Sequence, residues 1–406
     1  MSGPLTGFRV VDAGLLVAGP GAAGILCDWG AEVIKVEPLD GDNLRAWFPE
    51  PNPPFALDNR GKRSIAIDLR QPEGRDILFR ILETTDAFVT NTRRGSLARL
   101  GIDYPQIKDR FPRLVYCHAT GFGREGPAAD RPAFDATAVW ARAGIGATIK
   151  RGDQEVPQSR AAFGDHMTAM NAAGAVCAAL LAREKTGEGQ LVSVSLLRTG
   201  LYMLSWDIMV KLFTGRGAQS LSRRDLPNPL VGNFLTRDER WFCFMGNPRQ
   251  RHDRDAILKA VGLDSLIGDP RIATSDAVHQ HADELRDLLD EAIARRSLAE
   301  WTEIFDAAGI WWEPYQRIDD VVEDPFALAN GAFVDCPSEN GPVTMAATPA
   351  DFAGTPWAPQ GPPPRLGQHT TEILGELGYE QSAVQALLSR GIVGTDAVAE
   401  EETGNG

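Results

Sequence analysis

Two carboxylates stand out as candidates for chemistry: Asp165, in the run Phe163-Gly164-Asp165-His166, and Asp135, directly after Phe134. Asp165 opens a long helical pattern and has two readings. It can be the cap of that helix. It can also be a nucleophile, because the helix dipole and unpaired N–H groups favour the ionised form, and an ionised carboxylate can attack an acyl carbon covalently. The preceding Gly164 lets a bulky substrate approach. Phe134 and Asp135 read most simply as a core side chain and a cap. The turn Ala18-Gly19-Pro20-Gly21 lacks the GxGxxG spacing. It suits an anion held by backbone N–H groups at a helix start, or simply close packing of helix on sheet. Asn59-Arg60-Gly61-Lys62-Arg63 brings three cations to a strand edge, for phosphates or for a solvated loop. Asn91 and Arg99 follow a strand end, where open α/β sheets bind ligands.

Other chemistries lack their signatures. There is no GxSxG and no P-loop, and the six His show no metal spacing, so no metal is expected. Five scattered cysteines without a CxxC pair argue against a disulfide framework or a zinc site and read as small core hydrophobes. With 41 basic against 55 acidic residues the net charge is −14, and no basic run is segregated, so no nucleic-acid partner is expected. The longest apolar stretch, 172–182, is too short to span a bilayer, and the N-terminus shows no signal pattern. No membrane role and a cytoplasmic location are the expectations.

The elements that must position these residues alternate. Short apolar segments at 8–12, 33–37, 64–69, 87–90, 114–118 and 191–195 read as strands. Helical spacing lies between them, at 19–30, 73–84 and 165–185. The fold class is therefore α/β, with a parallel sheet covered on both faces. The character changes near Gly215. The expected divisions are 1–214 as the first part of a large domain, 225–325 as a smaller α+β domain, 326–400 as a C-terminal segment, and 401–406 as a disordered tail. Within the third, Pro337 to Pro364 reads as an extended, surface-wrapping stretch.

In order and spacing, these pieces resemble the class III CoA-transferase family, with formyl-CoA transferase and carnitine CoA-transferase among its members. The likeness starts at Pro4-Leu5-Thr6-Gly7-Phe8-Arg9-Val10-Val11-Asp12 and runs through Gly30-Ala31-Glu32-Val33-Ile34-Lys35-Val36-Glu37. It continues through Arg99-Leu100-Gly101, Thr120-Gly121-Phe122-Gly123, Arg131 to Asp135 and Gly164-Asp165. It then takes in Arg183 to Gln190 and ends at Leu366-Gly367-Gln368-His369-Thr370. The resemblance implies a Rossmann-like large domain built from both ends of the chain, a small domain from the middle, and an interlocked-ring homodimer. It implies Asp165 as the catalytic residue and coenzyme A or acyl-CoA as substrate, with no permanently bound cofactor. CoA contacts fall on Val17, Ala18, Ile67, Arg70, Asn91, Arg99 and Leu100, and Phe134 and Asp135 border the substrate pocket. Some relatives carry Arg where this chain has Pro38; Arg45 is the substitute expected for the CoA phosphates. No glycine-rich run stands near Pro227 to Asn233, unlike in formyl-CoA transferase, which speaks against oxalate or formate.

Two other readings stand beside CoA transfer between carboxylic acids. One is a 2-methylacyl-CoA racemase, whose relatives carry His before the matching Asp; here Phe134 cannot move a proton. The other is a non-catalytic CoA-binding protein, against which the intact Gly164-Asp165 speaks. His166 is expected to point elsewhere on the helix. Trp206, Trp241, Trp301, Trp311 and Trp312 fall in the region that shapes the family's acyl pocket, and core packing is expected to explain most of them.

Overall fold

Six apolar segments pair in parallel: β1 (Arg9–Asp12), β2 (Glu32–Glu37), β3 (Arg63–Ile67), β4 (Ala87–Thr90), β5 (Val115–Thr120) and β6 (Leu191–Ser195). Their order is 3-2-1-4-5-6, and a short strand, Val393–Gly394, adds antiparallel beside β3. The computed structural model describes residues 3–49, 52–151, 154–217, 223–226, 228–246, 251–338 and 340–396. The expected tail, 401–406, lies outside them.

Alternation along the strands sends neighbours to opposite faces. Val10 packs with Val33 and Val89 on one face, against Ala22 and Leu26 of the first helix, Ala18–Asp28, and Ala169, Ala172 and Val176 of the long helix, Phe163–Thr186. Val11 packs on the other face with Ile34, Ile65 and Phe88, against Ile77 and Leu78 of Pro72–Leu82 and Ile373 and Leu374 of Thr370–Glu376. Both faces are thus dry, which is why the strands read as near-continuous apolar runs. The small residues of the long helix let it approach the first helix closely: a Cβ on Gly21 would lie 3.2 Å from the Ala169 Cβ.

The chain divides into two compact units, one of Met1–Ala147, Gln158–Ala218 and Ala329–Gly406, the other of Thr148–Pro157 and Gln219–Leu328. The second has a three-stranded antiparallel sheet, Val231–Leu235, Trp241–Met245 and Trp312–Pro314, over a core of Phe234, Phe242, Phe244, Trp301 and Phe305. The stretch expected to be extended after Pro337 instead holds half of a β-hairpin, Phe333–Cys336 with Val343–Ala346. The pairing partner lies before Pro337, so composition alone hid it.

The tryptophans split. Trp301 is a core residue and Trp312 packs on Phe242 and Phe305. Trp206 (82% exposed), Trp241 and Trp311 are exposed, so core packing does not account for them.

Candidate active site

The strand order reverses between β1 and β4, which places a ligand crevice at the carboxyl ends of these strands. A cleft of about 480 Å³ includes Ala13 and Thr92, the residues that follow those ends. Leu15, Val36, Leu69 and Leu97 line it together with three nominated residues, Ile67, Arg70 and Leu100; Asp40 and Asp68 supply acidic edges. Arg70 bonds to Asp68 through Nε at 2.8 Å and Nη2 at 3.1 Å. Val17 and Ala18 are buried at the start of the first helix. Arg99 is exposed and donates to Ser96 Oγ at 2.9 Å. Asn91 spends its amide on the loop after β1, donating to Leu15 O at 2.7 Å and accepting from Leu15 N at 2.8 Å. Sequence reading missed Asp40, Asp68 and Thr92, which become neighbours only when the sheet forms.

Arg45 does not stand free for a phosphate. Its guanidinium grips Glu37 at 2.8 and 2.9 Å, donates to Pro364 O at 3.0 Å and stacks over the Phe55 ring. The three cations of the 59–63 run are neither solvated nor set for phosphates. Arg60 pairs with Asp28 at 2.6 Å and donates to Ala346 O at 2.9 Å. Arg63 bridges Glu32, Glu372 and Glu376. Lys62 is fully buried, with Nζ donating to Asp12 at 2.8 Å, Pro20 O at 2.8 Å and Asn59 Oδ1 at 2.9 Å. Their partners lie far off in sequence, so the run looked solvent-facing.

Asp165 is the third residue of its helix and does not cap it. The cap position is Ala162, in a left-handed conformation (φ 61°) that a side chain disfavours. Leu16, also left-handed (φ 64°), packs in the same small apolar cluster, with Val17, Leu44 and Phe55. The two strained positions therefore flank the site together. Gly164 packs on Val139 of the π-helical turn Ala136–Arg142; a Cβ there would lie 2.6 Å from Val139 Cγ2. Asp135 caps that turn, accepting from Ala136 N at 2.6 Å, and its other oxygen accepts from Gly164 N at 3.2 Å. Phe134 is 55% exposed, not a core side chain.

The Asp165 carboxylate is partly buried and no hydrogen bond holds it among the described residues. Burial and the nearby Asp135 charge raise its pKa to about 7, with His166 pulling it back. The ionised form is thus less favoured than its helix position suggests, because desolvation and a second carboxylate outweigh the dipole. His166 does not turn away: its Nε2 lies 3.3 Å from Oδ1 of the buried Asp58. Among the described residues no cluster of three His, Cys, Asp or Glu could hold a metal.

Residues 5–370 match CoA-transferase family III. The chain belongs to that family. This CoA-transferase is 32% identical to the (R)-2-hydroxy-4-methylpentanoate CoA-transferase of Clostridioides difficile, over 94% of this chain and 97% of that one. It is 31% identical to the succinyl-CoA:glutarate CoA-transferase of Mus musculus, over 96% and 90%. A CAIB/BAIF family protein from Brucella suis has the same fold, with a TM-score of 0.80 at 30% identity, covering 93% of this chain and 100% of that chain. Rv3272 from Mycobacterium tuberculosis superposes with a TM-score of 0.81 at 27% identity, over 92% and 99%. No described helix of this CoA-transferase is long and apolar enough to cross a membrane.

Proposed function

We propose that this enzyme moves CoA from an acyl-CoA thioester to a free carboxylic acid through an aspartyl-CoA thioester on Asp165. The observation that carries it is a partly buried carboxylate with no hydrogen-bond partner among the described residues, at the start of a helix whose Gly164 is pressed onto Val139. Such a carboxylate is not needed for structure and is left to react. It attacks the donor carbonyl, and the C–S bond breaks, giving a mixed anhydride of Asp165 and the donor acid and releasing CoA as thiolate. The thiolate then attacks the aspartyl carbonyl, giving aspartyl-CoA and the donor's free acid. The acceptor acid reverses these steps. One thioester replaces another, so the exchange is close to isoenergetic and needs no ATP. The cleft lined by Ile67, Arg70 and Leu100 is read as the seat of the CoA nucleotide, which supplies binding energy for positioning. Val17, Ala18, Asn91 and Arg99 border the path, and Phe134 and Asp135 border the acyl side.

The interlocked homodimer belongs to the same reading. Helix Ser205–Thr214 buries none of its residues and exposes Trp206, Leu212 and Phe213, large apolar side chains that a partner chain would cover. Five free cysteines suit the reducing cytoplasm.

The reading has a pH signature. The nucleophile is the ionised form, so acylation is expected to rise with pH through about 7 and to fall about tenfold per unit below it. Single-turnover formation of aspartyl-CoA across pH 5–9 measures this; a flat profile down to about pH 5 would show a nucleophile of ordinary carboxylate acidity and contradict the raised pKa of Asp165.

A further inference from the structure

Asp58 is 4% exposed, and its carboxylate has one hydrogen-bond partner among the described residues, His166. A carboxylate taken out of water needs a cation or several donors. Lys62 bears on Asp58 through space, but its three hydrogens go to Asp12, Pro20 and Asn59. The imidazole is therefore the direct partner, at 3.3 Å, and its protonated form would offset the buried carboxylate. The bond to Asp58 raises the pKa of the ring, as do the Asp165 and Asp135 charges. The packing holds the pair in place. A Cβ on Gly21 would lie 3.1 Å from Asp58 Oδ1, and the Asn52 side chain accepts from Phe55 N at 3.1 Å, fixing the start of the helix Pro53–Asn59 that carries Asp58. The His166 side chain is 44% exposed, and Nδ1 has no protein partner among the described residues.

We propose that His166 is a positioning residue for the free acid, its Nδ1–H receiving the acid's carboxylate beside the acylated Asp165. This rests on the covalent reading of Asp165. The charge pattern calls for such a residue. The groups that bear on His166 are Asp165 on its own helix, Asp58 on the helix packed beside it and Asp135 on the turn after β5, all carboxylates. An incoming carboxylate would meet a negative field without an offsetting cation. Once Asp165 is a thioester it carries no charge, and the imidazolium offsets one of the two carboxylates that remain. A carboxylate oxygen of the acid then attacks the aspartyl carbonyl, the C–S bond of the tetrahedral adduct breaks, and CoA leaves as thiolate, leaving the mixed anhydride of Asp165 and the acid. No proton moves, so His166 keeps both ring protons and acts by charge and direction, not as an acid or base.

The test charges the enzyme with acetyl-CoA or succinyl-CoA at about pH 7.5, where most of Asp165 is ionised and a His of raised pKa still holds its proton. After removal of excess acyl-CoA, aspartyl-CoA is discharged with rising acetate, succinate or (R)-2-hydroxy-4-methylpentanoate. In His166→Gln the half-saturating acid concentration is expected to rise about tenfold or more, the usual weight of a charge-assisted hydrogen bond. Half-saturation by the acyl-CoA in the charging step should move far less. His166→Lys should recover part of the loss, and Asp58→Asn should shift the acid dependence in the same direction as His166→Gln. Half-saturation by acid that stays within about twofold in His166→Gln, or no gain from Lys over Gln, would overturn the assignment. Failure of the unmodified enzyme to form any aspartyl-CoA is a separate result; it would remove the covalent reading and this role with it.

Discussion

Asp165→Asn is expected to lower kcat for CoA transfer by about 10⁴-fold or more, because an amide has no anionic oxygen to form the anhydride. The same substitution is expected to stabilise the fold. Asp165 titrates near 7 when folded, raised by burial and by Asp135, against about 3.9 when unfolded. The folded state therefore binds the proton more tightly, and the ionised form carries a cost. That cost is absent below about pH 4, grows as pH rises, and is complete above about pH 7. The shift alone corresponds to about 4 kcal/mol; partial solvation of the side chain reduces the expected gain from Asn to about 2 kcal/mol at pH 8. Urea unfolding of both proteins at pH 4 and pH 8 checks the sign. A gain that is equal at both pH values would not come from this carboxylate's charge. Lost activity with gained stability is the pattern of a group retained for reaction.

The second large effect is structural. Lys62→Met is expected to destabilise the protein by about 3–5 kcal/mol, read as a lower urea midpoint with unchanged slope. Lys62 Nζ joins three elements, the end of β1 through Asp12, the first helix through Pro20 O and the helix Pro53–Asn59 through Asn59. Burial alone would raise the pKa of Asp12, but Lys35 and Lys62 outweigh it and hold it lowered. With Lys62 gone, Asp12 keeps Lys35 at 3.6 Å and the Gly14 N–H at 2.9 Å, too little for a fully buried charge. Asp12→Leu with Lys62→Met should recover part of the loss, since removing both charges leaves neither unpaired. A loss under about 1 kcal/mol in the single variant would mean that the network is not a support of the fold.

The two effects mark what could be read from the chain and what could not. The strands were legible because each is a short apolar run bounded by glycines and polar turns, as in Val33-Ile34-Lys35-Val36. Gly164-Asp165 was legible as a place, since a glycine and an acid open a long small-residue helix. Its electrostatics were not: the shift of Asp165 comes mainly from burial and from Asp135, thirty residues earlier. The pairing of His166 with Asp58 joins positions separated by 108 residues, and nothing in Pro53-Pro54-Phe55-Ala56-Leu57-Asp58-Asn59 signals a buried acid. Lys62, Arg60 and Arg45 failed the same way. Lys62 and Arg60 read as phosphate ligands or loop cations and Arg45 as a CoA-phosphate partner, until Asp12, Asp28 and Glu37 closed on them. Charge partners made by tertiary contact leave no local pattern, whereas the periodicity of strands and helices does.

The most direct measurement weighs the peptide that contains Asp165. Enzyme is incubated with an acyl-CoA panel that includes acetyl-CoA, succinyl-CoA and cinnamoyl-CoA, treated with hydroxylamine, digested and analysed by mass spectrometry. A hydroxamate at Asp165 that depends on acyl-CoA and disappears in Asp165→Asn is the expected result, because hydroxylamine captures an aspartyl thioester or anhydride. CoA transfer to an added acid, at full rate and with Asp165 left unmodified throughout, would contradict covalent transfer through this residue.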